Sequence, residues 1–241
     1  MDAIRPETVR TAVEGCDLAV NCIGPFYRYG TSIARTILES GLGGVDLCND
    51  HGTISGLVAL DALAKIRGTT YITGMGFSPG LSNLLAIKAA QQMEHVEEVQ
   101  IRWAIHAGEV GGQALVEHLM YIASGDVPVY RNGVRTLVRP FSDTETEKFP
   151  WPIGRVRLGH VGQPEVVTLP EYLDAETVSV KGALLPFWVE KLIATSGRLG
   201  VGRDEAIRRR LTTGLFKGYR TLLSGGHHPD NRTALKVRVI G

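Results

Sequence analysis

Residues 17–30, Asp-Leu-Ala-Val-Asn-Cys-Ile-Gly-Pro-Phe-Tyr-Arg-Tyr-Gly, restrict the fold of this chain more than any other stretch. Leu18, Ala19, Val20, Cys22 and Ile23 carry almost no period-two alternation. A strand buried on both faces of a parallel sheet has this pattern, because neither side meets water. Asn21 is the one polar interruption, Gly24 and Pro25 end the run, and Ile33, Ile37 and Leu38 follow at helical spacing. The order strand, turn, helix puts Asn21, Gly24 and Pro25 at the carboxyl end of a strand, where open α/β sheets bind their ligands. Taken alone, Gly-Pro equally suits a plain chain reversal.

The same alternation continues to about residue 92. The spacing predicts a short helix over 6–14, a helix over 31–40 closed by Gly41, a strand over 45–48, a helix carrying Ile54, Leu57 and Val58, and a strand over 69–73. Gly74 to Gly80 then leads into a helix with Leu81, Leu84 and Leu85 on one face. Strands alternating with helices imply parallel pairing through right-handed crossovers. From residue 93 the pattern changes, because Val99, Ile101, Trp103 and Ile105 alternate with Gln100, Arg102, Ala104 and His106, as in a strand with one wet face. A helix bearing Leu115, Leu119 and Ile122, a hairpin turning at Asn132-Gly133 and a polar loop at 142–148 come next. Strands at 178–180 and 235–239 and helices near 186–199 and 204–223 complete this half. The expected fold class is α/β: part of a Rossmann-type doubly wound parallel sheet over 1–92, then an α+β domain over 93–241 with a mainly antiparallel sheet, of substrate or dimerisation type.

Composition excludes several function classes. An apolar share of 44% supplies a core, and 26 basic against 25 acidic residues leave a net charge of +1, which gives no handle for a polyanion. Nucleic acid is therefore not expected as a partner. The 29 glycines show no repeat period and suit many tight turns. Cys16, Cys22 and Cys48, an odd number confined to the first fifth of the chain, do not form a secreted disulfide framework, so the expected compartment is the cytoplasm. No apolar run approaches the ~20 residues of a membrane span, and the first residues lack an apolar signal region.

Gly76-Phe77-Ser78-Pro79-Gly80 matches the nucleophile elbow G-x-S-x-G. The elbow needs the backbone N–H of the residue after the serine for its oxyanion hole, and Pro79 has none. Ser78 as a helix N-cap with Pro79 at the first helical position accounts for both residues. Read from Gly74, the same turn gives G-x-G-x-x-x-G, one residue too long for a dinucleotide loop, and no regular G-x-G-x-x-G or P-loop occurs elsewhere. Cys48 with His51, and His227-His228 near Asp230, have metal-like neighbours but assemble no ligand set. His106, Glu109 and His118 could act as acids or bases, although such residues on a wet strand or helix are more often surface. Arg208-Arg209-Arg210 reads as the solvated side of the last long helix.

Residues 17–26 with Tyr29-Gly30, then Gly44-Val45-Asp46-Leu47, then Gly76-Phe77-Ser78-Pro79-Gly80-Leu81-Ser82-Asn83 together resemble the saccharopine dehydrogenase-like family of NAD(P)-dependent oxidoreductases. The resemblance covers residues 2 to about 92, and more loosely 178–182 and 235–241. It implies that Asn21, Gly24 and Pro25 line the dinucleotide site and that the turn containing Gly76, Pro79 and Gly80 closes near the nicotinamide end of NAD or NADP. Members of the family start with a strand and a glycine-rich phosphate loop, whereas this chain begins about where their third strand ends and stops before their C-terminal end.

The sequence therefore supports a saccharopine dehydrogenase-like oxidoreductase, transferring hydride between NAD(P) and an amino-acid-derived or related small molecule, read as a truncated chain. Its alternative is a non-catalytic α/β oligomerisation or partner module derived from that family. The catalytic acid and base are not assigned. An apolar strand without its neighbour at 18–23 implies self-association as a homo-oligomer.

Overall fold

The computed structural model describes residues 2–109, 112–223 and 232–241, without the side chains of 109 and 215–223. In chain order the elements of the first part are α1 (Pro6–Val13), β1 (Leu18–Asn21), α2 (Phe26–Glu39), β2 (Gly43–Asp46), α3 (His51–Val58), α4 (Asp61–Arg67), β3 (Tyr71–Ile72) and α5 (Leu81–Ala90). The strands form a parallel three-stranded sheet in the order β1-β2-β3. This is a partial Rossmann-like arrangement, joined to a second, mixed sheet. Gly41 takes a left-handed φ of 74° just past α2, as a helix-closing glycine does.

The second part comprises β4 (Glu98–His106), α6 (Gln113–Ile122), β5 (Val127–Arg131), β6 (Val134–Val138), β7 (Glu145–Lys148), β8 (Arg155–His160), α7 (Glu165–Leu173), β9 (Thr177–Leu185), α8 (Phe187–Arg198), α9 (Glu205–Leu223) and β10 (Thr233–Ile240). The sheet runs β10-β4-β9-β5-β6, with the β7–β8 hairpin attached through β8 to β9. Only β4 and β9 pair in parallel, from Glu98↔Thr177 to His106↔Leu185, and they are its centre. The predicted hairpin turns at Asn132 and Gly133, both at positive φ, the geometry a two-residue loop needs to match strand twist.

One face of β4 and β9 presents Val99, Ile101, Trp103, Val178 and Val180, packed against Val166 and Leu169 of α7 and Ala86 of α5. The opposite face, expected to be wet, is covered. Arg102 is only 4% exposed and stands directly across from Lys181. The segment expected as a polar loop supplies β7, whose Glu145 accepts from Arg102 Nε and, at 2.9 Å, from Lys181 Nζ. Two residues on, Glu147 accepts from Lys236 Nζ at 2.8 Å. Period-two spacing of the carboxylates thus answers the cations of the sheet below, and a polar strand face becomes an interior one.

Two further expectations change. β1 is not buried on both faces: Ala19 and Ile23 join the core with Ile33 and Ile37 of α2, but Leu18 and Val20 are 54% and 64% exposed. Val20, Val45 and Ile72 form one row across the sheet, and no described element covers it. On α5 the expected apolar face is the exposed one, with Leu81, Leu84 and Leu85 outward and Ser82 and Ala86 buried. The hydroxyl of Ser82 explains this choice, as described below.

Among the described residues β1 is an edge strand with an apolar row beside unpaired backbone, a template for another chain. Sedimentation is expected to show concentration-dependent self-association that Val20→Lys abolishes. A wild-type protein that stays monomeric at every concentration would refute this.

Candidate functional site

The turns that follow β1, β2 and β3 converge at the carboxyl ends of the parallel sheet. Asp46, at the end of β2 and fully buried, ties the last two together. Its Oδ1 accepts from the backbone N–H of Cys48 at 2.9 Å, from that of Gly74 at 2.8 Å and from Thr73 Oγ1 at 2.8 Å. Asp50 caps α3 through Thr53 N at 2.7 Å. The chain after β3 closes on itself at Gly76 and Gly80, with Gly76 N donating to Pro79 O at 3.0 Å. At φ 111° a Cβ on Gly80 would stand 2.5 Å from Gly76, so only glycine closes this turn.

These turns face the mixed sheet across a cleft of about 430 Å³. Gly24 and Pro25 after β1, Leu47 and Asn49 after β2, and Gly76, Phe77 and Ser78 after β3 form one wall. Trp103, Ile105 and Leu184 of the mixed sheet lie opposite, and α6 adds Leu115, His118, Leu119 and Ile122. The cleft therefore gathers Gly24, Pro25 and Gly76 from the sequence-predicted set. Asn21, Pro79 and Gly80 do not line it: Asn21 is buried at the end of β1, with Oδ1 accepting from Ile23 N at 3.0 Å.

His118 is the residue whose role the sequence understated. It is 3% exposed rather than on a helix surface, and its Nδ1 lies 4.0 Å from Asp50 Oδ2. Burial pulls its imidazole down to about 4, while the Asp50 carboxylate pulls the other way. It is neutral at neutral pH, with a carboxylate placed to stabilise its protonated form. A signal did exist, since 115, 118, 119 and 122 fall at i, i+3, i+4 and i+7, one helical stripe. Arg208 also departs from the solvated expectation. It is buried against the stacked rings of Tyr27 and Tyr121, its Cζ 5.1 and 5.3 Å from their centroids, and its Nε donates to Tyr27 Oη at 3.1 Å. Arg209 and Arg210 are exposed.

Ser78 is not an N-cap, and Pro79 is not at the first helical position, because α5 begins at Leu81 behind Gly80. Instead the Ser78 hydroxyl donates to Glu165 of α7, and Ser82 Oγ donates to the same Oε1 at 2.6 Å. Asn83 Nδ2 donates to Thr168 Oγ1 at 3.2 Å. The polar residues of the 76–83 stretch thus dock the first sheet's turn onto α7. Glu165 is fully buried, which raises its carboxyl above the usual range. Nothing in Gln163-Pro164-Glu165 marks this glutamate as buried, because an acid in a first helical turn is ordinarily solvated.

Among the described residues no three His, Cys, Asp or Glu side chains are grouped to hold a metal ion, and no helix is long and apolar enough to cross a membrane. The Glu109 side chain, His227, His228 and Asp230 lie outside the described residues.

No family model matches the sequence. Among solved structures, saccharopine dehydrogenase (L-Glu forming) from Saccharomyces cerevisiae is similar with a TM-score of 0.57 and 12% identity, over 86% of this chain and 48% of that one. The chain spans about half the length of that enzyme. Amine dehydrogenase from Mycobacterium smegmatis gives a TM-score of 0.38 at 13% identity, over 73% of this chain and 61% of that one. The WlbA dehydrogenase from Thermus thermophilus, solved with NAD and alpha-ketoglutarate, gives 0.32 at 14%, over 75% and 54%. At such identity the yeast likeness speaks to the fold.

Two outcomes follow from these buried groups. A base held below its ordinary 6.5 keeps its full stability above that pH and loses it as pH falls toward the folded value. Urea unfolding is expected to weaken from pH 6.5 to 4, less steeply in His118→Gln; His51 and His160, also lowered by burial, leave a residual slope. Glu165 is raised, so its contribution is present at low pH and lost as pH rises. Glu165→Gln, which keeps an acceptor for both serines, is expected to gain stability relative to wild type as pH rises. Glu165→Ala is expected to lose about 2–4 kcal/mol by orphaning both hydroxyls. Equal losses in the two variants would contradict the docking role.

Proposed function

We propose that this chain is the nicotinamide-side and substrate-side portion of an NAD(P)-dependent oxidoreductase of the saccharopine dehydrogenase-like type, with residues 1–92 as the cofactor part and 93–241 as the substrate part. The substrate in this reading is an amino-acid-derived or related small molecule. The supporting observation is the position of the cleft: three successive turns at strand carboxyl ends face a second sheet across one apolar space.

The walls suit a flat ring. Gly24, Pro25 and Gly76 line the cleft without long side chains, and a Cβ at Gly24 would stand 3.4 Å from Ala114 Cβ, filling the gap between the β1 turn and α6. Bound against these turns, NAD(P) would supply or accept the hydride. His118 is the group that holds or releases the accompanying proton, neutral at rest and steadied by Asp50 when charged. Phe77, Trp103 and Leu119 exclude water from the space between.

Gripping the phosphates is a separate requirement, because close backbone contact at a glycine turn usually supplies it and this sequence has no G-x-G-x-x-G. A non-catalytic partner module is the second reading, and the bare row at Leu18 and Val20 is the observation in its favour.

Titration with NADPH and NADH, followed by nicotinamide fluorescence and amide chemical shifts, is expected to half-saturate above about 1 mM, since several charge-assisted contacts are lacking. The shifts should fall on Gly24, Gly76 and His118. Their absence at about 10 mM would overturn the oxidoreductase reading. Saturation near micromolar would instead mean that the 74–80 turn grips the phosphates.

A further inference from the structure

Phe141 lines the cleft from one side and a second cavity, of about 630 Å³, from the other. The second cavity is lined by Arg139 of the β6–β7 connection, Arg198 in the last turn of α8 and Arg203 in the turn before α9. Among the described residues Asp126 is its one acidic lining residue. Among the described residues none of the three arginines has a carboxylate within ion-pair distance, and Arg203 makes one hydrogen bond, from Nε to Ser124 O at 3.4 Å. A helix dipole accounts for Arg198 but not for Arg139 or Arg203, which lie outside helices.

The walls that carry these side chains are fixed. Gly197 and Gly202 let α8 and the following turn press onto the end of α6, where a Cβ on either would fall 2.0 Å from Ala123 O or Ser124 Oγ. On the third side, Phe141 N donates to His160 O at 2.7 Å, His160 N to Ser142 O at 3.1 Å, and Ser142 Oγ to Arg139 O at 2.6 Å. Three cations are therefore gathered around a concave space against one lining carboxylate, Asp126, an arrangement that leaves a net positive charge, focuses a positive potential and costs self-repulsion until an anion enters.

We infer that this cavity binds a phosphate group, as free phosphate or as a phosphomonoester, through Arg139, Arg198 and Arg203. Guanidinium forks approaching from three walls match a tetrahedral anion with several free oxygens better than a planar carboxylate with two. The site stands whether or not the neighbouring cleft takes a dinucleotide.

Calorimetric titration with inorganic phosphate and with glycerol phosphate, chloride compensating for ionic strength, tests it. Both probes are expected to saturate if a terminal phosphate suffices, and free phosphate alone if the ester group is excluded. Acetate should not compete. Arg139→Gln and Arg198→Gln, both at exposed positions, should each weaken binding about tenfold without shifting the thermal midpoint. No saturation by either probe up to about 50 mM, or unchanged affinity in both variants, would overturn the assignment.

Discussion

One buried carboxyl group, Glu165, joins the two sheets of this protein. It sits at the start of α7, packed beneath the mixed sheet, and both its hydroxyl partners come from the chain that leaves the parallel sheet. A buried acid is costly unless hydrogen-bonded, so Ser78 and Ser82 are held to it and α5 is rotated accordingly. That rotation puts Ala86 into the core and leaves Leu84 and Leu85 facing out. It also positions the wall of the cleft, because Ser78 and Phe77 belong to the same turn.

Asp46 and Asp50 act similarly at shorter range. Each replaces packing with hydrogen bonds at a point where the chain must turn: Asp46 holds the segments after β2 and β3 against each other, and Asp50 caps the helix that follows. The cleft is thus shaped by backbone tied to carboxylates, with apolar side chains from the mixed sheet and α6 closing it. His118 is where the two principles meet, an apolar helix stripe interrupted by an imidazole that reaches Asp50.

Much of the element order was legible because it depends on local periodicity and punctuation, although α4, β8 and α7 were not read from the sequence and β7 was read as a loop. The run at 18–23, the glycine after α2, the Asn132-Gly133 turn and the alternation at 99–105 each report on their own neighbourhood. Which side of an element is buried was less legible, since that depends on what the rest of the chain lays over it. Arg102 reads as surface and lies beneath β7; Leu18 reads as core and lies bare; Arg208 reads as solvated and is buried against two stacked tyrosines. Of the candidate site, Gly24, Pro25 and Gly76 were found from turns at strand ends. Glu165 and Asp50 were not, because their burial is created by partners more than 60 residues away.

The β7–β8 hairpin is fastened to the sheet by charge at two depths. The cations that meet Glu145, Arg102 and Lys181, are buried although Glu145 itself is partly exposed, whereas Lys236 and Arg238, which meet Glu147, are nearly half exposed. Dissolved salt weakens exposed ion pairs and affects buried ones far less. Rising salt concentration therefore loosens this strap first at Glu147, where the cations face water, while the buried cations hold Glu145 longer.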